Sequence, residues 1–147
     1  MKIALGSDHA GLEMKSAVKE YLLAKGLECG DFGTFCQNSV DYPDISFPVV
    51  RSIQNGEYDL GILVCGTGIG MSMAANKCRG IRAALCSDPY SARCSREHNN
   101  ANVLALGARV VGIGLAIDIV DAFINTDFAA GRHQRRLDKI TLMETDG

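Results

Sequence analysis

Apolar and polar positions change places along this chain at two periods. Nearly continuous apolar runs at residues 3–6, 59–64, 81–86 and 102–106 read as buried strands, and a weaker run at 27–32 reads as one more. Between them, apolar residues recur at helical spacing. Leu12, Ala17, Val18, Tyr21 and Leu22 mark a helix over 10–25 that stops at Gly26. Asp41-Tyr42-Pro43-Asp44 is a helix entry with proline in the first turn, leading to a helix over 45–54. Pro48 inside it calls for a kink or a later start. Residues 71–77 are helical. Asp88 caps a helix over 88–97 whose first residue is Pro89. Leu115, Ile119, Ala122 and Phe123 share one face of a helix over 114–125, and a last helix covers 132–143.

Strands that are nearly continuous apolar runs and alternate with helices predict a parallel sheet covered on both faces. The chain is too short for an eight-stranded α/β barrel. The expected fold is therefore α/β: a three-layer α/β/α sandwich with a five-stranded, parallel, doubly wound, Rossmann-like sheet. A single domain spans 1–147. Ligands bind such sheets at the carboxyl ends of the strands. There the pattern places Ser7, Asp8 and His9; Cys65 to Gly70; Ser87 and Asp88; and Gly107 to Arg109.

Composition narrows the classes. A hydrophobic share of 47% over 147 residues supports one sizeable core. A net charge of −2 argues against a nucleic-acid binder. No run approaches the roughly 20 apolar residues of a membrane span. The first apolar run breaks at once into Ser7-Asp8-His9, which is not the pattern of a signal peptide. Cys29, Cys36, Cys65, Cys78, Cys86 and Cys94 form no C-x-x-C pair and have no zinc-finger histidines. They read as reduced thiols of a cytoplasmic protein.

The densest chemistry lies at Cys65-Gly66-Thr67-Gly68-Ile69-Gly70. Glycines at alternate positions turn the backbone and uncover N–H groups that suit an anion or a growing oxyanion. It is neither a Walker A loop nor G-x-G-x-x-G, since Met71 and Met73 stand where glycines would be required. Cys65 is either an acid-base or nucleophilic thiol or a small buried hydrophobe. Asp8-His9 falls at the end of the first strand, beside this loop. His98 lies in a polar stretch, Arg93 to Asn102, which is a solvated helix end or the home of an acid or base. Arg132 and Arg136, four apart, share a helix face that suits a phosphate or simply faces solvent, and Arg109 offers a third cation.

These residues match a family pattern. Gly6-Ser7-Asp8-His9-Ala10-Gly11, Asp41-Tyr42-Pro43-Asp44, Cys65 to Ser72, Ala75-Asn76-Lys77, Ser95 to Asn99, Ala101 to Leu104, Leu106 to Arg109, and Gly131-Arg132-His133 with Arg135-Arg136 follow one another in its order. The chain resembles the type B ribose-5-phosphate isomerases, of the sugar-phosphate isomerase family that includes allose-6-phosphate and galactose-6-phosphate isomerases. The resemblance implies interconversion of an aldose 5-phosphate and its ketose with no metal and no organic cofactor. It implies Cys65 as the base between C1 and C2, with Thr67 and the backbone of Gly66, Gly68, Ile69 and Gly70 stabilising the enediolate. It further implies His98 as ring-opening acid, Asp8 on the sugar hydroxyls and Tyr42 along the site. His9, Arg132, Arg136 and Arg109 would hold the phosphate, and Asn99 would touch the substrate.

The resemblance also implies a site between two subunits, with His98 and Asn99 from the partner, in a homodimer or a tetramer of two dimers. The helix from 132 would then complete the site or the dimer. A branch of the family replaces the cysteine by a glutamate just after the last loop glycine. Met71 stands there, so this chain resembles the cysteine branch. It departs from the pattern at Ala129-Ala130, where an acidic residue and glycine are expected. Rival readings are isomerisation of a six-carbon sugar phosphate, a non-catalytic sugar-phosphate binding module, and a thiol-redox or cysteine-hydrolase protein.

Overall fold

The computed structural model describes residues 1–146. Strands β1 (Lys2–Ser7), β2 (Glu28–Asp31), β3 (Leu60–Cys65), β4 (Ala83–Leu85) and β5 (Val103–Gly107) form one parallel sheet, ordered β2-β1-β3-β5-β4. Helices α1 (Leu12–Ala24), α2 (Tyr42–Gln54), α3 (Ile69–Ala75), α4 (Pro89–Glu97), α5 (Ile113–Ile124) and α6 (Arg132–Asp146) connect and follow the strands. The chain runs outward from β1 to β2, then returns past β1 to β3. The point of reversal lies between β1 and β3, where such sheets open a crevice at their carboxyl ends.

Alternate residues of each strand enter opposite cores. Ile3, Leu5, Ile62, Val64, Leu104 and Leu106 pack with Val18 and Leu22 of α1, Ala92 of α4, and Ile119 and Phe123 of α5. Ala4, Leu63, Cys65, Val103 and Ala105 pack with Val49 and Val50 of α2 and Met71 and Ala75 of α3. Each large side chain removed from water in this way contributes roughly 1.5–3 kcal/mol. Burial on both faces explains why the central strands show no polar alternation.

The three-layer doubly wound architecture is the one expected, with several boundary corrections. The helix expected over 45–54 begins at Tyr42 and continues through Pro48. The proline removes one N–H from the helix ladder, yet Val49 and Val50 on its buried face hold the helix in place. α3 starts at Ile69 rather than 71, and β4 shrinks to three residues at the sheet edge. Leu115, expected on the buried face of α5, is 40% exposed; Ala116, Ile119, Val120, Phe123 and Ile124 form that face.

α6 covers neither face of the sheet. The Glu144 carbonyl accepts from Arg79 Nη2 and its Oε1 accepts from Gly80 N–H, at 3.1 and 2.9 Å. Those partners precede β4, so α6 lies along the amino end of the sheet. No helix is long and apolar enough to cross a membrane among the described residues.

Candidate active site

β3 ends on Cys65, whose side chain is buried. The loop beyond it is pinned to the turn after β5: Ala108 N–H donates to the Cys65 carbonyl and Arg109 N–H to the Gly66 carbonyl, both at 2.9 Å. Gly68 takes the left-handed conformation, φ 79°, where a Cβ would stand 2.9 Å from the Leu106 carbonyl carbon. That tight turn brings Gly68 N–H within 3.1 Å of Cys65 Sγ, to which it donates. Ile69 N–H donates to Thr67 Oγ1 at 3.2 Å, which turns the Thr67 hydroxyl toward the entry of α3. The N–H groups of Gly66, Thr67 and Gly70 have no partner among the described residues. Tyr42, at the start of α2, lies against Gly70; a Cβ there would meet its ring at 2.7 Å.

β1 delivers the neighbouring groups. Asp8 N–H donates to the Val64 carbonyl at 3.1 Å, which sets Asp8 beside the end of β3. Asp8 Oδ1 accepts from Gly11 N–H at 3.1 Å and fixes the short turn that carries His9. His9 Nδ1 accepts from Val40 N–H at 3.3 Å. Arg109, from the β5 turn, lies along Gly66, its Nη1 3.4 Å from where a Cβ would sit. Asp8, His9, Tyr42, Cys65 to Gly70 and Arg109 therefore gather around the reversal point of the sheet.

The other expected site residues lie at the opposite end. His98 follows α4, and its ring stacks on that of His133 at 4.5 Å and 18°. Desolvation, then the charges of His98, Arg132 and Arg136, push His133 below its ordinary pKa. Arg132 and Arg136 are exposed at the start of α6. Asn99 lines a cavity of about 1010 Å³ beneath α6, with Arg79, Arg82, Leu137 and Met143. Arg96 holds this corner together, donating to the carbonyls of Thr126 and Ala101 and to Asn100 Oδ1. The register separates the two groups: Gly61 pairs with Val103 at the amino end, and Cys65 with Gly107 at the carboxyl end. At roughly 3.3 Å per residue, about 13 Å of strand lies between them. Within one chain, His98, Asn99, Arg132 and Arg136 do not join Cys65.

The model of a family described as ribose/galactose isomerase matches residues 3–140. The chain belongs to the ribose/galactose isomerase family. Ribose-5-phosphate isomerase B of Escherichia coli is 50% identical over 143 residues, 97% of this chain and 96% of that protein. The solved ribose-5-phosphate isomerase B of Clostridium thermocellum superposes with a TM-score of 0.98 at 52% identity, over 99% of each chain. The Mycoplasma genitalium ribose-5-phosphate isomerase B, solved with bound ribulose 5-phosphate, gives a TM-score of 0.94 at 44% identity, over 99% of this chain and 97% of that one. The protein is an isomerase of the ribose/galactose isomerase family.

Two polar side chains removed from water were not singled out by the sequence reading. Lys15 is almost fully buried on α1, and Arg96 is half-buried under the His98 turn. A signal existed for the first. Lys15, Val18 and Leu22 lie at helical spacing on one buried stripe, where a lysine needs partners.

Proposed function

We propose that the protein interconverts ribose 5-phosphate and ribulose 5-phosphate by proton transfer through an enediolate, without metal or organic cofactor. The observation that carries this reading is the Cys65 thiol at the reversal point of the sheet, held by a glycine turn beside unpartnered N–H groups. The Mycoplasma genitalium relative with bound ribulose 5-phosphate supports the choice of sugar.

Ring opening exposes the C1 aldehyde: His98 gives a proton to the ring oxygen, the O1 hydroxyl passes its own to solvent water, and His98 takes a proton back from solvent. Cys65 thiolate then takes the proton from C2, and charge grows on O1. The uncovered N–H groups of the loop, with Thr67, stabilise that oxygen. O1 gains a proton while O2 gives one up, and Cys65 returns its proton to C1. One C–H bond breaks and one forms, with no net redox change. Asp8 binds the sugar hydroxyls, Tyr42 bounds the pocket, and Asn99 touches the substrate. His9, Arg109, Arg132 and Arg136 hold the phosphate, whose binding energy orients the reacting carbons.

Because one chain keeps Cys65 and His98 at opposite ends of its sheet, the complete site belongs to a homodimer. A second copy brings its amino-end group to the first copy's glycine loop. A tetramer would pair two such dimers.

The test is conversion of ribose 5-phosphate by the pure protein in D₂O, with and without a chelator. We expect ribulose 5-phosphate carrying deuterium at C1, at a rate the chelator leaves unchanged. Faster turnover of allose 6-phosphate or galactose 6-phosphate would replace this substrate with a six-carbon one. Inactivity on all three would end the proposal.

A further inference from the structure

One buried cation has no place in the chemistry above. Lys15 is 1% exposed. An ammonium leaves water only where fixed partners replace its hydration. Lys15 Nζ donates to Asp31 Oδ1 at 2.7 Å and to the Thr34 carbonyl at 2.6 Å, and it lies 4.8 Å from the centre of the Phe35 ring. All three partners lie at the end of β2 and in the loop that follows. Asp31 Oδ1 also accepts Gly33 N–H at 3.0 Å. Ser7 N–H donates to the Gly33 carbonyl and Thr34 N–H to the Ser7 carbonyl, each at 2.7 Å, which ties the segment to the end of β1. Residues 35–39 are then exposed, and the loop returns to the site where Val40 N–H meets His9 Nδ1.

A buried ion pair is a poor source of stability, because apolar residues of like volume serve as well. What Lys15 supplies is geometry: directional bonds to two points at the root of a loop whose residues 35–39 are exposed. The loop's far end has a chemical consequence. A ring nitrogen that accepts a hydrogen bond carries no hydrogen of its own, so neutral His9 keeps its hydrogen on Nε2. Nε2–H is the donor left to face an anion.

We propose that Lys15 is a positioning residue for the isomerisation: its clamp on Asp31 and Thr34 fixes the 31–40 loop, and Val40 N–H then fixes His9 as a neutral Nε2–H donor to the substrate phosphate. The phosphate half rests on the proposed function; the clamp and the tautomer do not.

The test uses Lys15→Met/Asp31→Asn, which removes both charges together and leaves an oxygen for Gly33 N–H. Two readouts are taken on the folded protein: the His9 tautomer, from ¹H–¹⁵N correlation of the ring nitrogens, and steady-state kinetics with ribose 5-phosphate. We expect wild-type His9 as the Nε2–H tautomer and the variant as a mixture. KM and the inhibition constant for inorganic phosphate should rise together, about 5–10-fold, while kcat stays within about two-fold. An unmoved tautomer overturns the proposal whatever KM does, and an unmoved KM overturns it even if the tautomer shifts. Should the double variant not fold, Asp31→Asn decides by the same readouts, with KM expected up about 2–3-fold and no change in either readout overturning the proposal. A wild-type enzyme inactive on ribose 5-phosphate would sink the proposed function alone. The tautomer would still decide for or against the clamp.

Discussion

The two ends of the sheet are built by different means. At the carboxyl end, backbone does the placing: the Cys65 and Gly66 carbonyls accept from N–H groups of the turn after β5, and a main-chain N–H meets the buried Cys65 sulfur. At the amino end, side chains do it: His98 stacks on His133, Arg96 binds three oxygens, and Arg132 and Arg136 stand in solvent on α6. The difference matches the proposed division of labour. A proton carrier must sit in one geometry, sheltered from water, which a turn of closely packed glycines provides. A phosphate anchor must reach across a gap, which long cationic side chains can do. Each end alone is half of the proposed site.

Breaking the carboxyl end should have the largest effect. Cys65→Ala is expected to lower kcat at least about 10²-fold and leave KM within a few-fold. Near-normal turnover would remove the thiol from the mechanism.

Joining the two ends tests the comparison directly. Cys65→Ala and His98→Ala homodimers should each be nearly inactive. Mixed by unfolding and refolding, half the dimers carry both lesions, with one intact site each, so roughly a quarter of wild-type activity should return. Verified heterodimers without activity would mean that both residues act within one chain.

Weakening the amino end should cost less. Arg132→Ala and Arg136→Ala each remove a charge-assisted contact of roughly 1.5–3 kcal/mol, so KM should rise about ten-fold or more. Phosphate inhibition should weaken in step; if it does not change in either variant, the pair is a solvated helix face. Gly68→Ala sharpens the carboxyl end instead. Its methyl would meet the Leu106 carbonyl in a left-handed turn, and a loss of about 1–3 kcal/mol in stability is expected by denaturant titration.

The smallest effect concerns acid. Burial raises Asp31, but the hydrogen bonds from Lys15 and Gly33 N–H, with the Lys15 and Lys19 charges, outweigh it and hold the carboxyl below its usual value. A carboxylate depressed in the folded state stabilises the fold above its unfolded pKa, near about 4, and that stability is lost as pH falls through the folded value. Urea midpoints below that pH should therefore fall more gently in Lys15→Met/Asp31→Asn than in wild type.

The architecture was legible because the central strands are buried on both faces and say so residue by residue. Asp88 with Pro89, and Gly26, also marked helix ends where the structure has them. The glycine turn was legible as a loop, yet the bond from Gly68 N–H to Cys65 was not, since it depends on how tightly the turn closes. The entry of α2 was legible in Asp41-Tyr42-Pro43-Asp44, since proline suits a first helical turn, whereas the uninterrupted run through Pro48 was not, because a proline inside a helix argues locally for a kink or a later start. Leu115 was misplaced by one helical position, which turns a buried side chain outward. Lys15 escaped because its meaning lies in partners 16 and 19 residues away.

α6 has one further consequence. Leu137 is its only buried residue among those described, and a large cavity separates the helix from the strand ends. In terms of amide exchange, such a helix opens without the rest of the molecule, at a small fraction of the global unfolding free energy. In a lone chain the arginines therefore ride on the element expected to open first. Any ligand that bridges them to the glycine loop spends part of its affinity holding that element closed.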